Sequence, residues 1–287
     1  MIYTNSTTQC RYAPSLGGGF EAHPNEIWHT VPYKSRELPT VFCGLYDLRD
    51  FYALRRHKGK VWCFWCGSDI RNLRAGFTLN DGKLKLISRI LGTWWVFKIL
   101  KKAEHWCENE NEQRDLAELG IKASVCPSFF GDVTKFNTSY WWSKNPHVYI
   151  STGKGRQIEY GFDTIESIAP RLKNVTFHLY GDDWKTKHKN VIVHGRVPIE
   201  QMNKEIKEMQ CALYLNESGG TSEVMMKAIL QGQYAISKIP HPLIPSYETE
   251  EELIQYLESL ARTYHPNTKA QMYYLKALNR FPFNKNA

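Results

Sequence analysis

Short apolar runs alternate along this chain with longer segments whose apolar residues recur at helical spacing, and most of the runs end in a glycine-containing turn. In the first half the runs are Thr40–Gly44, Val61–Cys66, Ala103–Cys107 and Ala123–Cys126. In the second half they are His147–Thr152, Val175–Tyr180, Val191–His194, Cys211–Leu215 and Tyr234–Ser237. Continuous rather than alternating apolar character is the mark of strands covered on both faces, as in parallel sheets. Helices are expected over Asp47–His57 with Asp47 as N-cap, up to Leu119 with Gly120 as terminator, and over Phe162–Leu172 and Ile199–Met209. Two more are expected over Glu250–Arg262 and Lys269–Leu278. Strand, helix, strand in repeated succession predicts two α/β domains. The periodic pattern lapses between Phe130 and Pro146, which puts the boundary at 1–135 and 136–287; a last helix that packs back on the N-terminal domain is an expectation separate from that pattern.

One βαβ unit stands out. Cys211–Leu215 runs into Asn216-Glu217-Ser218-Gly219-Gly220-Thr221-Ser222-Glu223, then a helix carrying Met225, Ala228, Ile229 and Gly232 on one face, then Tyr234–Ser237. A glycine pair at the carboxyl end of a parallel strand lets backbone approach a ligand, and Thr221 or Ser222 is placed to cap the helix. The free N–H groups and the positive helix end attract an anion, most plausibly a phosphate; an ordinary capped turn is the competing reading.

Composition narrows the classes. With 287 residues, 42% hydrophobic and 23% charged, the chain is a folded globular protein of about two domains. No apolar run reaches the ~18 residues of a spanning helix, and the N-terminus lacks the signal-peptide pattern, so the cytoplasm is the expected compartment. Seven scattered cysteines do not form a disulfide framework, and Cys63 and Cys66 sit inside a strand without a second pair, a poor context for zinc or redox chemistry. A net charge of +8 favours an anionic partner. Much of that charge lies between Arg71 and Lys102, where Asp81 is the only acid and Leu84, Ile87, Leu91, Trp94, Trp95 and Ile99 recur at near-helical spacing. Lys83–Lys102 therefore reads as a basic amphipathic helix, either docked on the sheet or facing phosphates or a membrane interface.

The second half carries a series of motifs: Ser151-Thr152-Gly153-Lys154-Gly155-Arg156, Tyr160-Gly161-Phe162-Asp163, Tyr180-Gly181, Gly195-Arg196-Val197-Pro198, and Gly219-Gly220-Thr221-Ser222-Glu223 followed by Lys227 to Gly232. In this order they resemble the donor-binding domain of retaining GT-B glycosyltransferases of the family-4-like group. The N-terminal Gly17-Gly18-Gly19 loop and Trp65-Cys66-Gly67-Ser68-Asp69-Ile70 resemble the acceptor domain of the same superfamily. The resemblance implies two Rossmann-like domains facing across a cleft and transfer of a sugar from a nucleotide-sugar, UDP-type favoured, with retention and with neither cofactor nor metal. It implies a diphosphate held by Lys154, Arg156, Gly219, Gly220, Thr221 and Ser222, with Glu223 and Lys227 in the donor site and Glu217 a catalytic candidate beside the sugar. Asp69 and His23 become candidates to orient or deprotonate the acceptor hydroxyl, and Gly17, Gly18, Gly19, Arg71 and Arg74 candidates to bind the acceptor. Tyr160, Gly219 and Lys227 depart from the family, which carries a basic residue and two glutamates at these positions. The acceptor reading leans to a modified base in DNA, as in bacteriophage enzymes, over a lipid-linked or surface glycan at the membrane. A scaffold that binds the nucleotide-sugar without catalysis is the further alternative.

Overall fold

The computed structural model describes residues 8–13, 30–75, 93–129, 131, 133–217, 219–278 and 280. Contacts divide the chain into two units. The first gathers Met1–Asp132 with Gly219–Thr221 and Ala277–Ala287, and the second Val133–Ser218 with Ser222–Lys276.

In the first unit β1 (Gln9–Tyr12), β2 (Val31–Pro32), β3 (Thr40–Cys43), β4 (Val61–Phe64), β5 (Glu104–Cys107) and β6 (Ala123–Val125) form one sheet in the order β2-β1-β3-β4-β5-β6. Every pairing is parallel. Its helices are α1 (Leu48–Arg56), α2 (Ser68–Arg74), α3 (Thr93–Leu100) and α4 (Glu110–Glu118). Phe42, Phe51, Leu54, Cys63, Trp65, Val96 and Leu116 pack into the core between β3, β4 and these helices. The Asp47 cap forms as expected and is reciprocal: Asp47 accepts from Arg49 and Asp50 N–H, while Asp50 accepts from Asp47 N–H. Two strands, β1 and β2, escape the apolar pattern. β1 is held by a buried glutamine, Gln9, whose Oε1 accepts from Lys34 and Ser35 N–H, and by pairing with β3 rather than by an apolar run. Of the expected helix Lys83–Lys102, the part from Thr93 is α3, and residues 76–92 lie outside the described residues.

The second unit contains β7 (His147–Ser151), α5 (Phe162–Ile168), β8 (Thr176–Tyr180), β9 (Val191–Gly195), α6 (Ile199–Glu205), β10 (Cys211–Tyr214), α7 (Glu223–Leu230), β11 (Tyr234–Ser237), α8 (Glu250–Leu260) and α9 (Thr268–Leu278). Its sheet is again parallel throughout, in the order β11-β10-β7-β8-β9. Val148, Ile150, Phe177, Leu179 and Leu213 cover one face with Phe162 and Ile165 of α5 and Leu253 and Leu257 of α8. On the other face Tyr149, Tyr180 and Ala212 pack against α6 and α7. The strand order reverses between β7 and β10, so the crevice outside their carboxyl ends is the switch point where ligands of such sheets bind.

Candidate functional site

At that switch point the loops after β7, β8 and β10 converge. Thr152 N–H donates to Tyr180 C=O at 3.0 Å, and Gly181, at φ +98°, closes so tightly that a Cβ there would lie 1.8 Å from Thr152 C=O. The loop after β7 is tied to the loop after β8 through Asp182, which accepts from Gly155 N–H and from Gln157, each at 2.7 Å. The Gly155 N–H first, then the Asp183 N–H and the positive charges of Lys154 and Arg196, hold the Asp182 carboxyl below its usual range. Lys154 is exposed beside it. Arg156 donates to Glu159 at 2.7 Å and lies over the Tyr160 ring at 5.0 Å. Glu159 also accepts from Asn216, at the end of β10, at 3.3 Å. One chain of contacts thus joins the basic loop to the turn after β10. Tyr160 holds the guanidinium by its ring face, which gives that departure from the family pattern a role.

Ser222 caps α7, its hydroxyl accepting from Met225 N–H at 3.5 Å, and Glu223 occupies the first turn. Glu217 is exposed. Lys227 is buried within α7, where burial lowers its pKa against the pull of Glu223 one turn earlier. The turn itself holds an anion of the protein's own. Gly219–Thr221 groups with the first unit, where Thr221 N–H donates to Glu108 Oε2 at 3.1 Å and Gly219 C=O accepts from Asn109 at 3.0 Å. Ser128 donates to the other Glu108 oxygen. A Cβ at Gly220 would lie 1.2 Å from Glu108 Oε2, so a side chain there would displace the carboxylate from the Thr221 amide. The expectation of free N–H groups at this turn is corrected accordingly: the Thr221 amide is engaged by Glu108.

Asp69 lies in the first turn of α2 and is fully buried. Its carboxylate accepts from Leu45, Cys66 and Ile70 N–H at 2.9–3.1 Å. Burial pushes its pKa up to about 7 although these bonds favour the anion. The acceptor-side base expected here is therefore corrected to a side chain that ties the ends of β3 and β4 together, with no oxygen exposed. Arg74 pairs with Asp115 at 2.7 Å and Glu118 at 2.8 Å, both on α4, and so is committed within the unit. Arg71, one turn earlier, lies within electrostatic reach of Glu112, whose buried carboxyl is pushed up by burial and by Glu108. His23, Gly17, Gly18 and Gly19 lie outside the described residues.

One polar cluster has no counterpart among the sequence candidates. His147, His178 and His194, on β7, β8 and β9, form a ladder: His147 Nδ1 to His178 Nε2 at 2.8 Å, then His178 Nδ1 to His194 Nε2 at 2.8 Å. Glu205 Oε2 lies 3.4 Å from His194 Nδ1 and accepts from Tyr180 at 2.7 Å. The carboxylate at one end favours the arrangement in which each ring carries its proton on Nδ1 and accepts on Nε2. Burial and the two neighbouring imidazoles lower the pKa of His178 to about 3. A cavity of about 270 Å³ opens over the ladder beside Trp141, Glu208 and Met209. A larger groove of about 710 Å³ lies elsewhere, between α5 and the segment from Trp184 to His188. Among the described residues no set of histidine, cysteine and carboxylate side chains is arranged to hold a metal ion.

No protein-family model matches the sequence, and no curated protein matches it significantly. Solved structures do. TarM superposes with a TM-score of 0.55 at 12% identity over 83% of this chain and 51% of its own. A TarM mutant from S. aureus in complex with Fondaparinux, alpha-GlcNAc-glycerol and UDP gives 0.55 at 10% identity over 85% of this chain and 52% of its own. Sucrose-phosphate synthase from Thermosynechococcus elongatus gives 0.55 at 10% identity over 85% and 70%. The fold is GT-B. The expectation of two Rossmann-like parallel α/β units is met. The chain spans about half the length of the TarM structures it matches. In this GT-B chain no described helix is long and apolar enough to cross a membrane.

Proposed function

We propose that this chain is a nucleotide-sugar-dependent glycosyltransferase of the retaining GT-B type, with a UDP-sugar as donor. The carrying observation is the convergence, at the switch point between β7 and β10, of a basic glycine loop with the capped start of α7. The likeness to a TarM structure whose complex contains UDP supports the choice of nucleotide.

Cleaving a sugar–phosphate bond builds negative charge on the departing diphosphate. Lys154 and Arg156 are positive groups in the second unit suited to stabilise that charge as it develops, and α7, whose preceding Thr221 amide is engaged by Glu108, adds its dipole. Arg156 is held by Glu159 and Tyr160, so its guanidinium is oriented before a ligand arrives, and a phosphate dianion competes for the same fork of donors. Asn216 and Glu217, at the end of β10, supply polar groups for sugar or ribose hydroxyls. A DNA base and a membrane-borne glycan remain the two acceptor classes, both served by a basic surface; the arrangement of α1 and α3 favours the second.

Lys227 in place of a family glutamate, together with Glu108 on the Thr221 amide, favours one second reading: a scaffold that binds the donor without turning it over. Incubation with a panel of nucleotide-sugars, following donor consumption beside binding, separates the two. Consumption of a UDP-sugar supports the transferase; binding with no consumption on any acceptor supports the scaffold.

A further inference from the structure

On the first unit, α1 and α3 pack together and leave a face on which three aromatic rings each carry a cation. The Arg55 guanidinium lies 5.7 Å from the Trp95 ring centre, that of Arg56 5.4 Å from Tyr52, and the Lys98 ammonium 5.0 Å from Trp94. The first and third of these pairs line a groove of about 340 Å³, together with Ile99 and Lys102 and with no carboxylate. Trp94 is 68% exposed and Tyr52 51%.

Several other basic side chains of this unit are neutralised: Arg49 by Asp47, Lys58 by Glu37, Lys60 by Glu104, Arg74 by Asp115 and Glu118. Among the described residues no carboxylate is paired with Arg55, Arg56 or Lys98. Lys102 is spent differently, donating to the carbonyl oxygens of Leu54, Arg55 and His57 at the carboxyl end of α1, and so fixes the groove's wall. Uncompensated cations around exposed indole and phenol rings, over an apolar floor at Ile99, match an amphiphile. Phosphate headgroups meet the cations, and the rings sit at the level between headgroup and acyl chain.

We propose that this face docks the first unit on an anionic phospholipid surface. Single-stranded nucleic acid, the other polyanion that combines charge with aromatic contact, binds by stacking bases on free ring faces. Here one face of each of these rings is covered by the chain's own cation, and the floor of the groove is Ile99 rather than a further ring on which a base could stack. The inference is independent of the donor reading, since no residue of the second unit enters it.

Co-sedimentation of the full chain with phosphatidylcholine vesicles, with and without phosphatidylglycerol, tests it. Binding is expected with the anionic vesicles alone, weakening as salt rises, with a blue shift of tryptophan emission that Trp94→Ala removes. At about fivefold per basic residue near a charged surface, Arg55→Ala, Arg56→Ala and Lys98→Ala together should weaken binding roughly a hundredfold. All three side chains are exposed, so the variant should keep the wild-type melting curve. A control with Lys173→Ala, Lys185→Ala and Lys187→Ala should bind vesicles as the wild type does. Equal binding to neutral vesicles, no vesicle binding, an unaffected triple variant, or DNA binding through these residues without vesicle binding would each overturn the proposal.

Discussion

Acidification should loosen the second unit through His178, and the size of the effect follows from the ladder. In the fold His178 is held neutral between two imidazoles, with its pKa lowered from 6.5 to about 3, chiefly by burial. A histidine depressed in the folded state leaves stability intact above its unfolded value and removes it as pH falls toward the folded one. From about pH 7 to about pH 5 the unfolded chain takes up a proton that the fold refuses, which costs roughly 2 kcal/mol at about 1.4 kcal/mol per pH unit. His147 and His194 are shifted in the same direction, also by burial, and add to the loss; Glu205, beside His194, opposes it. Hydrogen exchange of peptides spanning β7 to β9, corrected for the intrinsic pH dependence of amide exchange, reads the local free energy. His178→Gln keeps a donor and an acceptor in the ladder but cannot titrate. The wild type should lose about 2 kcal/mol more protection than this variant across the interval. Parallel losses in the two proteins would refute the claim that His178 is held neutral.

Two further outcomes bear on the donor loops. Gly181→Ala would press a methyl group into Thr152 C=O at a φ of +98° and should cost at least about 2 kcal/mol of stability, read in urea melts. Lys154→Ala with Arg156→Ala should abolish a UDP-induced thermal shift. In the wild type that shift corresponds to roughly 2.7 kcal/mol at a hundred times the dissociation constant.

Much of the fold was legible because parallel strands buried on both faces write themselves as continuous apolar runs, and turn glycines punctuate them. Thr40–Cys43, Val61–Phe64, His147–Ser151 and Cys211–Tyr214 were readable for that reason. β1 was not, since Gln9-Cys10-Arg11-Tyr12 mixes a buried amide with an arginine that pairs with Asp50, 39 residues away. The Ser222 cap was legible as a local signal, and so was the anion-attracting character of the turn before it. The anion on the Thr221 amide was not legible: Glu108 belongs to an acidic run that reads as a helix start, and the two residues are 113 positions apart. Asp69 shows the same limit from the other side. A carboxylate after a strand and a glycine has the sequence look of an exposed base, and only its three backbone partners reveal a buried tie. The histidine ladder escaped because its members fall on three strands, 31 and 16 residues apart.

The central claim, that the second unit binds a UDP-sugar and the chain transfers its sugar, is tested most directly by donor consumption. Purified protein would be incubated with individual UDP-, GDP- and ADP-sugars, with and without anionic vesicles carrying glycan acceptors, and released nucleoside diphosphate measured. The account predicts release from a UDP-sugar, raised by acceptor and lost in the Lys154→Ala, Arg156→Ala variant. No release from any donor, or release unchanged in that variant, would contradict it.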